Sequence, residues 1–162
     1  GYIGVDVFFV ISGYLITNII INEIEQKKFS ISNFHERRAR RIMPALIVVT
    51  LTSSILSIFF MYPYQILDFA NSIFFTSTLT SNFYFWQNTG GYFSGTFVEQ
   101  MPLLHTWSIA VQEQFYIFFP LFFLLIWRLG YKIFFFSILL ITLISFSISE
   151  FASTHNPRAN FF

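Results

Sequence analysis

Arg37-Arg38-Ala39-Arg40-Arg41 leads directly into Ile42-Met43-Pro44-Ala45-Leu46-Ile47-Val48-Val49-Thr50-Leu51-Thr52-Ser53-Ser54-Ile55-Leu56-Ser57-Ile58-Phe59-Phe60-Met61-Tyr62. A cluster of arginines therefore abuts about 20 residues without a single charge, and as a helix that run rises about 30 Å, the hydrocarbon thickness of a bilayer. The β-branched residues would favour a strand in water. In lipid an open strand leaves backbone groups unpaired, so helix is the expectation.

Working outward, similar runs cover Tyr2 to Ile21, Ile66 to Trp86, Trp107 to Trp127 and Ile133 to Phe151. No strict apolar/polar alternation of a membrane barrel runs through them. The 66–86 run is the weakest, because it carries Asp68, Asn71, Asn82 and several Ser and Thr. It reads as a tilted helix or as a re-entrant piece buried among others. The expected fold class is all-α: a polytopic transmembrane helical bundle with about five membrane segments, forming one membrane domain over residues 1–162.

Composition agrees. Hydrophobic residues make up 55% of the chain, aromatics 22%, and mean hydropathy is +0.63. Charged residues are 10%, against about 25% in a soluble domain. The lipid bilayer is the first expected partner. A net charge of +1 gives no field for nucleic acid, and none is expected as a partner. The lack of cysteine excludes disulfides, thiolate metal sites and a cysteine nucleophile.

Charge also orients the chain. Lys27, Lys28, Arg37, Arg38, Arg40 and Arg41 lie between the first two segments, which places that connection in the cytoplasm. The connection around Pro63 has no Lys or Arg and lies outside. The 87–106 stretch has none either, although strict alternation makes it cytoplasmic, so the later connections are poorly fixed. Trp86, Trp107 and Trp127 sit at segment ends, as an interfacial aromatic belt requires. The chain starts at Gly1 and ends on Phe161-Phe162, and its first apolar run lacks the basic flank of a signal peptide. It reads as an internal part of a longer protein.

Three places could carry chemistry. Asp6 is an early carboxylate in the first segment, either interfacial or facing the protein interior. The arginine run is a topological anchor or a site for a polyanion, since arginine forks bind phosphates. The richest stretch is Pro102-Leu103-Leu104-His105-Thr106-Trp107-Ser108-Ile109-Ala110-Val111-Gln112-Glu113-Gln114-Phe115-Tyr116. If helical, His105, Ser108, Gln112 and Tyr116 share a face, with Glu113 about 100° round from Gln112. Gln112, Glu113 and Gln114 are costly in an apolar segment unless they bond to something. They act as interhelical hydrogen-bond glue or as a site. His35 reads as solvated, and His155 is uninformative. No metal-ligand spacing and no glycine-rich phosphate loop is present, so no metal is expected.

Three stretches in order resemble the acyltransferase family 3. Gly1 to Ile16 (Gly1-Tyr2-Ile3-Gly4-Val5-Asp6-Val7-Phe8-Phe9-Val10-Ile11-Ser12-Gly13-Tyr14-Leu15-Ile16) is similar to its second membrane segment. Phe34 to Leu46 resembles its arginine motif, and Pro102 to Tyr116 a third motif. The resemblance covers nearly the whole chain. It implies a bacterial inner-membrane, multi-pass O-acyltransferase. Such an enzyme passes an acyl group, usually acetyl, from a cytoplasmic donor of acyl-coenzyme A type to a hydroxyl of a cell-surface or exported glycan, such as lipopolysaccharide, capsule or peptidoglycan. Acetyl-CoA or another acyl-CoA is the expected donor substrate, and no cofactor is held permanently.

On that reading Arg37, Arg38, Arg40 and Arg41 hold the donor's phosphates. His105, Gln112, Glu113 and Tyr116 line the transfer site or brace its helices, with Asp6 helping to handle a proton. Two departures stand out. The family's essential His, with an upstream Arg, belongs to a segment preceding Gly1. The family usually has Glu where this chain has Gln112, and an amide positions a hydroxyl but is no general base. Rival readings are a non-catalytic transporter or glycan-export component, and an inactive truncated remnant of the enzyme.

Overall fold

The computed structural model describes residues 2–88 and 101–155. Six α-helices and one 3-10 turn make up the described residues, with no strand among them. In order they are α1 (Tyr2–Glu25), α2 (Ile31–Phe60), α3 (Pro63–Ser77), α4 (Ser81–Asn88), the 3-10 turn Leu104–Thr106, α5 (Trp107–Trp127) and α6 (Tyr131–His155). Four helical stretches among the described residues have the length and apolarity to cross a membrane: Gly4–Glu25, Ile31–Phe60, Leu104–Trp127 and Tyr131–Ala152. The protein is an all-helical membrane protein. It divides into two units, Gly1–Val49 and Thr50–Phe162, and each is described by itself.

In the first unit α1 ends in a Schellman turn. The Lys28 N–H donates to the Glu23 carbonyl at 2.9 Å and the Lys27 N–H to that of Ile24 at 2.9 Å. Lys27 takes the left-handed position, φ 54°, where glycine is usual. Ser12, Ile16 and Ile20, spaced by four, form the buried stripe of α1. The helix α2 starts at Ile31, so the arginines lie inside a helix and the apolar run from Ile42 continues it. The sequence reading placed them in the connection between the first two segments. Arginine and glutamate are good helix formers, and Glu36 pairs with Arg40 one turn on, which extends the helix outward. Pro44 then lies well inside α2 and cannot donate to the Arg40 carbonyl.

In the second unit the expected membrane segment Ile66 to Trp86 is two helices. The 15 residues of α3 rise about 22 Å and the 8 of α4 about 12 Å, too little for a crossing. Pro63 occupies the first helical position of α3 and the Gln65 Oε1 accepts from the Tyr62 N–H at 2.9 Å, which starts the helix. A second Schellman turn stops it: the Thr80 N–H reaches the Phe75 carbonyl at 2.9 Å and the Leu79 N–H that of Thr76 at 3.1 Å, with Leu79 at φ 57°. The sequence offered a tilted helix or a re-entrant piece; the stretch is not one helix but two short ones. The core of this unit is Phe69, Tyr84, Phe85, Leu103 and Leu104, with Met61, Ile73, Phe75, Met101 and Trp107 packed against it. Gly130, at φ 107°, turns the chain from α5 into α6. There Phe134 meets Phe123 edge-on, ring centroids 4.7 Å apart, and Trp127 at 5.6 Å.

Candidate functional site

The polar side chains of α5 come from adjacent positions and therefore point in different directions. Gln112, Glu113 and Tyr116 are buried. The Gln112 amide donates to the Tyr116 hydroxyl one turn later. Gln114 faces elsewhere. Its Nε2 donates to the carbonyl of Leu79 at 2.9 Å and to Asn82 Oδ1 at 3.0 Å. One α5 amide thus grips the turn between α3 and α4 at its left-handed residue. Pro120 is buried four residues after Tyr116 and cannot donate to the Tyr116 carbonyl, so the helix hydrogen-bond ladder is interrupted beside the polar group.

A second polar group lies at the start of α5. The Thr106 hydroxyl donates to the Leu103 carbonyl at 2.7 Å and lies 3.0 Å from Thr76 Oγ1 and 3.3 Å from Ser81 Oγ. All three hydroxyl residues are buried. The Tyr84 hydroxyl donates to the Asp68 carbonyl at 3.1 Å, tying α4 to α3. Burial, with the Asp68 carboxylate adding to it, pushes the Tyr84 hydroxyl above its ordinary value. It remains a neutral donor across the physiological range.

The 3-10 turn alters the expected shared face. His105 lies in that turn and is exposed, whereas Gln112 and Tyr116 on α5 are buried. The helix proper begins only at Trp107, so the spacing of His105 to Ser108 is not helical throughout. The Ser108 hydroxyl closes the turn by donating to the His105 carbonyl at 3.1 Å. The structure therefore brings Gln112 and Tyr116 into contact, buries Glu113 on the same helix, and leaves the His105 side chain outside.

Asp6 and the arginines belong to the first unit. Asp6 is exposed on α1. Arg37 Nη2 lies 2.6 Å from Glu23 Oε1, and Arg40 Nη2 lies 2.7 Å from Glu36 Oε1. Arg38 sits over the Phe34 ring, 5.6 Å from its centroid. Arg41 is exposed and makes no ion pair among the described residues. On a helix Arg37, Arg40 and Arg41 span about 100° of arc, a basic stripe along one side of α2. Exposed pairs of this kind are worth about 0–1 kcal/mol. A phosphate ligand can therefore draw Arg37 and Arg40 from their glutamates at little cost.

Sequence reasoning missed the buried hydroxyl group around Thr106 and the contact of Gln114 with Asn82. Gln114 was visible as one of three polar residues in a row. What it bonds to was not, because its partners lie more than thirty residues earlier in the chain.

Four helical stretches long and apolar enough to cross a membrane, one of them carrying buried Gln112 and Glu113, define a polytopic membrane protein. The sequence matches the family described as acyltransferase domain (Acyl_transf_3) over residues 1–162, and the chain belongs to that family. It is 45% identical over 127 residues to an uncharacterized protein of Haemophilus influenzae, an alignment covering 76% of this chain and 49% of that protein. It is 38% identical over 125 residues to the peptidoglycan O-acetyltransferase OatA of Listeria monocytogenes, covering 76% of this chain and 20% of that protein. The O-acetyltransferase OatA of Staphylococcus aureus is also 38% identical over 125 residues, covering 75% and 20%. The chain thus spans about half the length of the first relative and a fifth of the other two. No solved structure matches it.

Proposed function

We propose that the protein containing this chain is an O-acetyltransferase of the bacterial inner membrane. It takes acetyl from a cytoplasmic acyl-CoA and passes it to a hydroxyl of a cell-surface or exported glycan. The observation that carries this reading is the family match over residues 1–162, joined with relatives named O-acetyltransferases.

The side chains suit that chemistry in two ways. The arginine stripe of α2 offers planar forks for the donor's phosphates, with Arg41 in no ion pair among the described residues and Arg37 and Arg40 in exposed ones. The buried group of α5 holds hydrogen-bond donors, the Gln112 amide and the Tyr116 hydroxyl, in a place where water is scarce, which strengthens them toward a developing oxyanion. Gln112, an amide, orients the Tyr116 hydroxyl and takes no proton. Glu113 is the ionisable side chain of that buried group.

The test is donor kinetics in the full-length protein, in membranes. Arg37→Ala and Arg41→Ala should each raise the donor KM about tenfold or more, as expected for losing a hydrogen bond to a charged group. The glycan KM should stay within about twofold. Unchanged donor kinetics at normal protein levels would reject the arginine stripe as the donor site.

A further inference from the structure

One recess in the second unit is used by nothing above. It is lined by Tyr64, Gln65, Asp68, Phe69, Ser72, Met101 and Pro102. Its volume is about 60 Å³, the share of about two liquid waters, and it is open on one side. It takes a protruding group rather than a whole ring. The Asp68 carboxylate makes no hydrogen bond or ion pair among the described residues, and its backbone is fixed by the Tyr84 hydroxyl. The Ser72 hydroxyl, already donating to the Phe69 carbonyl at 2.7 Å, keeps its lone pairs as acceptors. Beside it Tyr62 and Tyr64 stack nearly parallel, centroids 6.0 Å apart and planes 7° from parallel, and both rings are mostly exposed.

We infer that this recess and its tyrosines bind a neutral sugar unit of the glycan, a role that rests on the acyl-transfer reading above. A sugar presents what the recess lacks: hydroxyl groups to donate to a carboxylate, and apolar C–H faces to lie on an aromatic ring. A hydroxyl or hydroxymethyl group fits the volume, and the ring it hangs from reaches Tyr64 at the mouth. An anion is disfavoured, because the lining holds a carboxylate and no Lys, Arg or His. A metal ion is disfavoured too, because no group of three or more His, Cys, Asp or Glu among the described residues could hold one. The absence of Lys and Arg around Pro63 assigns this connection to the outside, where an exported glycan is met.

The experiment is binding, without any acyl donor, to the full-length protein in nanodiscs. The probe is the neutral oligosaccharide chitotetraose, compared with an oligosaccharide of uronic acids. Wild type should bind the neutral probe and discriminate against the acidic one. Asp68→Ala and Tyr64→Ala should each weaken chitotetraose binding about tenfold or more, while Tyr131→Ala, an exposed tyrosine on α6, should not change it. Asp68→Asn keeps the shape if the alanine variants fail to fold, and it should erase the discrimination against the acidic probe. Wild-type protein that ignores chitotetraose, or a folded Asp68→Asn protein that binds and discriminates as wild type does, overturns the inference and leaves Tyr62 and Tyr64 as interfacial anchors. Acetyl transfer is scored separately: binding that passes every arm without transfer sinks the proposed function and not the sugar site.

Discussion

Helices α5 and α6 have similar lengths and similarly apolar sequences, yet their polar residues behave oppositely. In α6 the hydroxyls turn back on their own helix: Thr142 donates to the Ile138 carbonyl at 2.9 Å and Ser147 to that of Leu143 at 2.9 Å. Phe134 is its buried apolar residue, and its other large apolar side chains, such as Phe136, Leu140 and Phe146, are exposed. In α5 the polar residues include Gln112, Glu113 and Gln114, which are buried or half-buried and do not all bond within their own helix. Gln114 crosses to the turn between α3 and α4, whereas Gln112 engages Tyr116 of its own helix. Short hydroxyls can be satisfied within one helix, whereas a long amide such as Gln114 can reach a neighbouring element. Mean hydropathy does not tell these helices apart. The type of polar residue does.

That comparison can be broken by substitution. Gln114→Leu strips donors from the Leu79 carbonyl and from Asn82, and should cost about 1–3 kcal/mol in unfolding of the detergent-solubilised protein. A loss under about 0.5 kcal/mol would show that the turn holds without α5. Thr106→Val removes the hydroxyl shared by Leu103, Thr76 and Ser81 and should cost about 1 kcal/mol in the same measurement. Gln112→Glu keeps a partner for Tyr116, with the hydroxyl now donating, so stability should change by less than about 1 kcal/mol. Tyr116→Phe should cost more than Gln112→Glu, and the reverse order would contradict the contact. The smallest effect belongs to α6: Thr142→Val should change stability by less than about 0.5 kcal/mol, because it exchanges a self-satisfied hydroxyl for an exposed methyl group.

The four long apolar helices were legible because length and charge alone decide whether a segment can cross. The break inside 66–86 was legible only as weakness. Its turn uses Leu79 in the left-handed region, and nothing in a leucine announces that conformation. The arginines were assigned to a connection because the apolar run starts only at Ile42. Their pairing at i,i+4 and good helix propensity instead extend α2 beyond the apolar run. On α5 the costly residues Gln112, Glu113 and Gln114 stood out at once. His105 was drawn onto their face by assuming helix through Leu104–Thr106, where the chain forms a 3-10 turn. Spacing along one element predicts which side chains share a face, and carries no record of which distant residue that face meets.

The most direct measurement is transfer of labelled acetyl from acetyl-CoA to an isolated cell-wall or surface glycan, by membranes holding the full-length protein. The account predicts label in alkali-labile ester linkage on the glycan, lost in Glu113→Ala and retained in Thr142→Val. Glycan that crosses the membrane unlabelled, with the protein present and intact, would contradict it and favour a transporter.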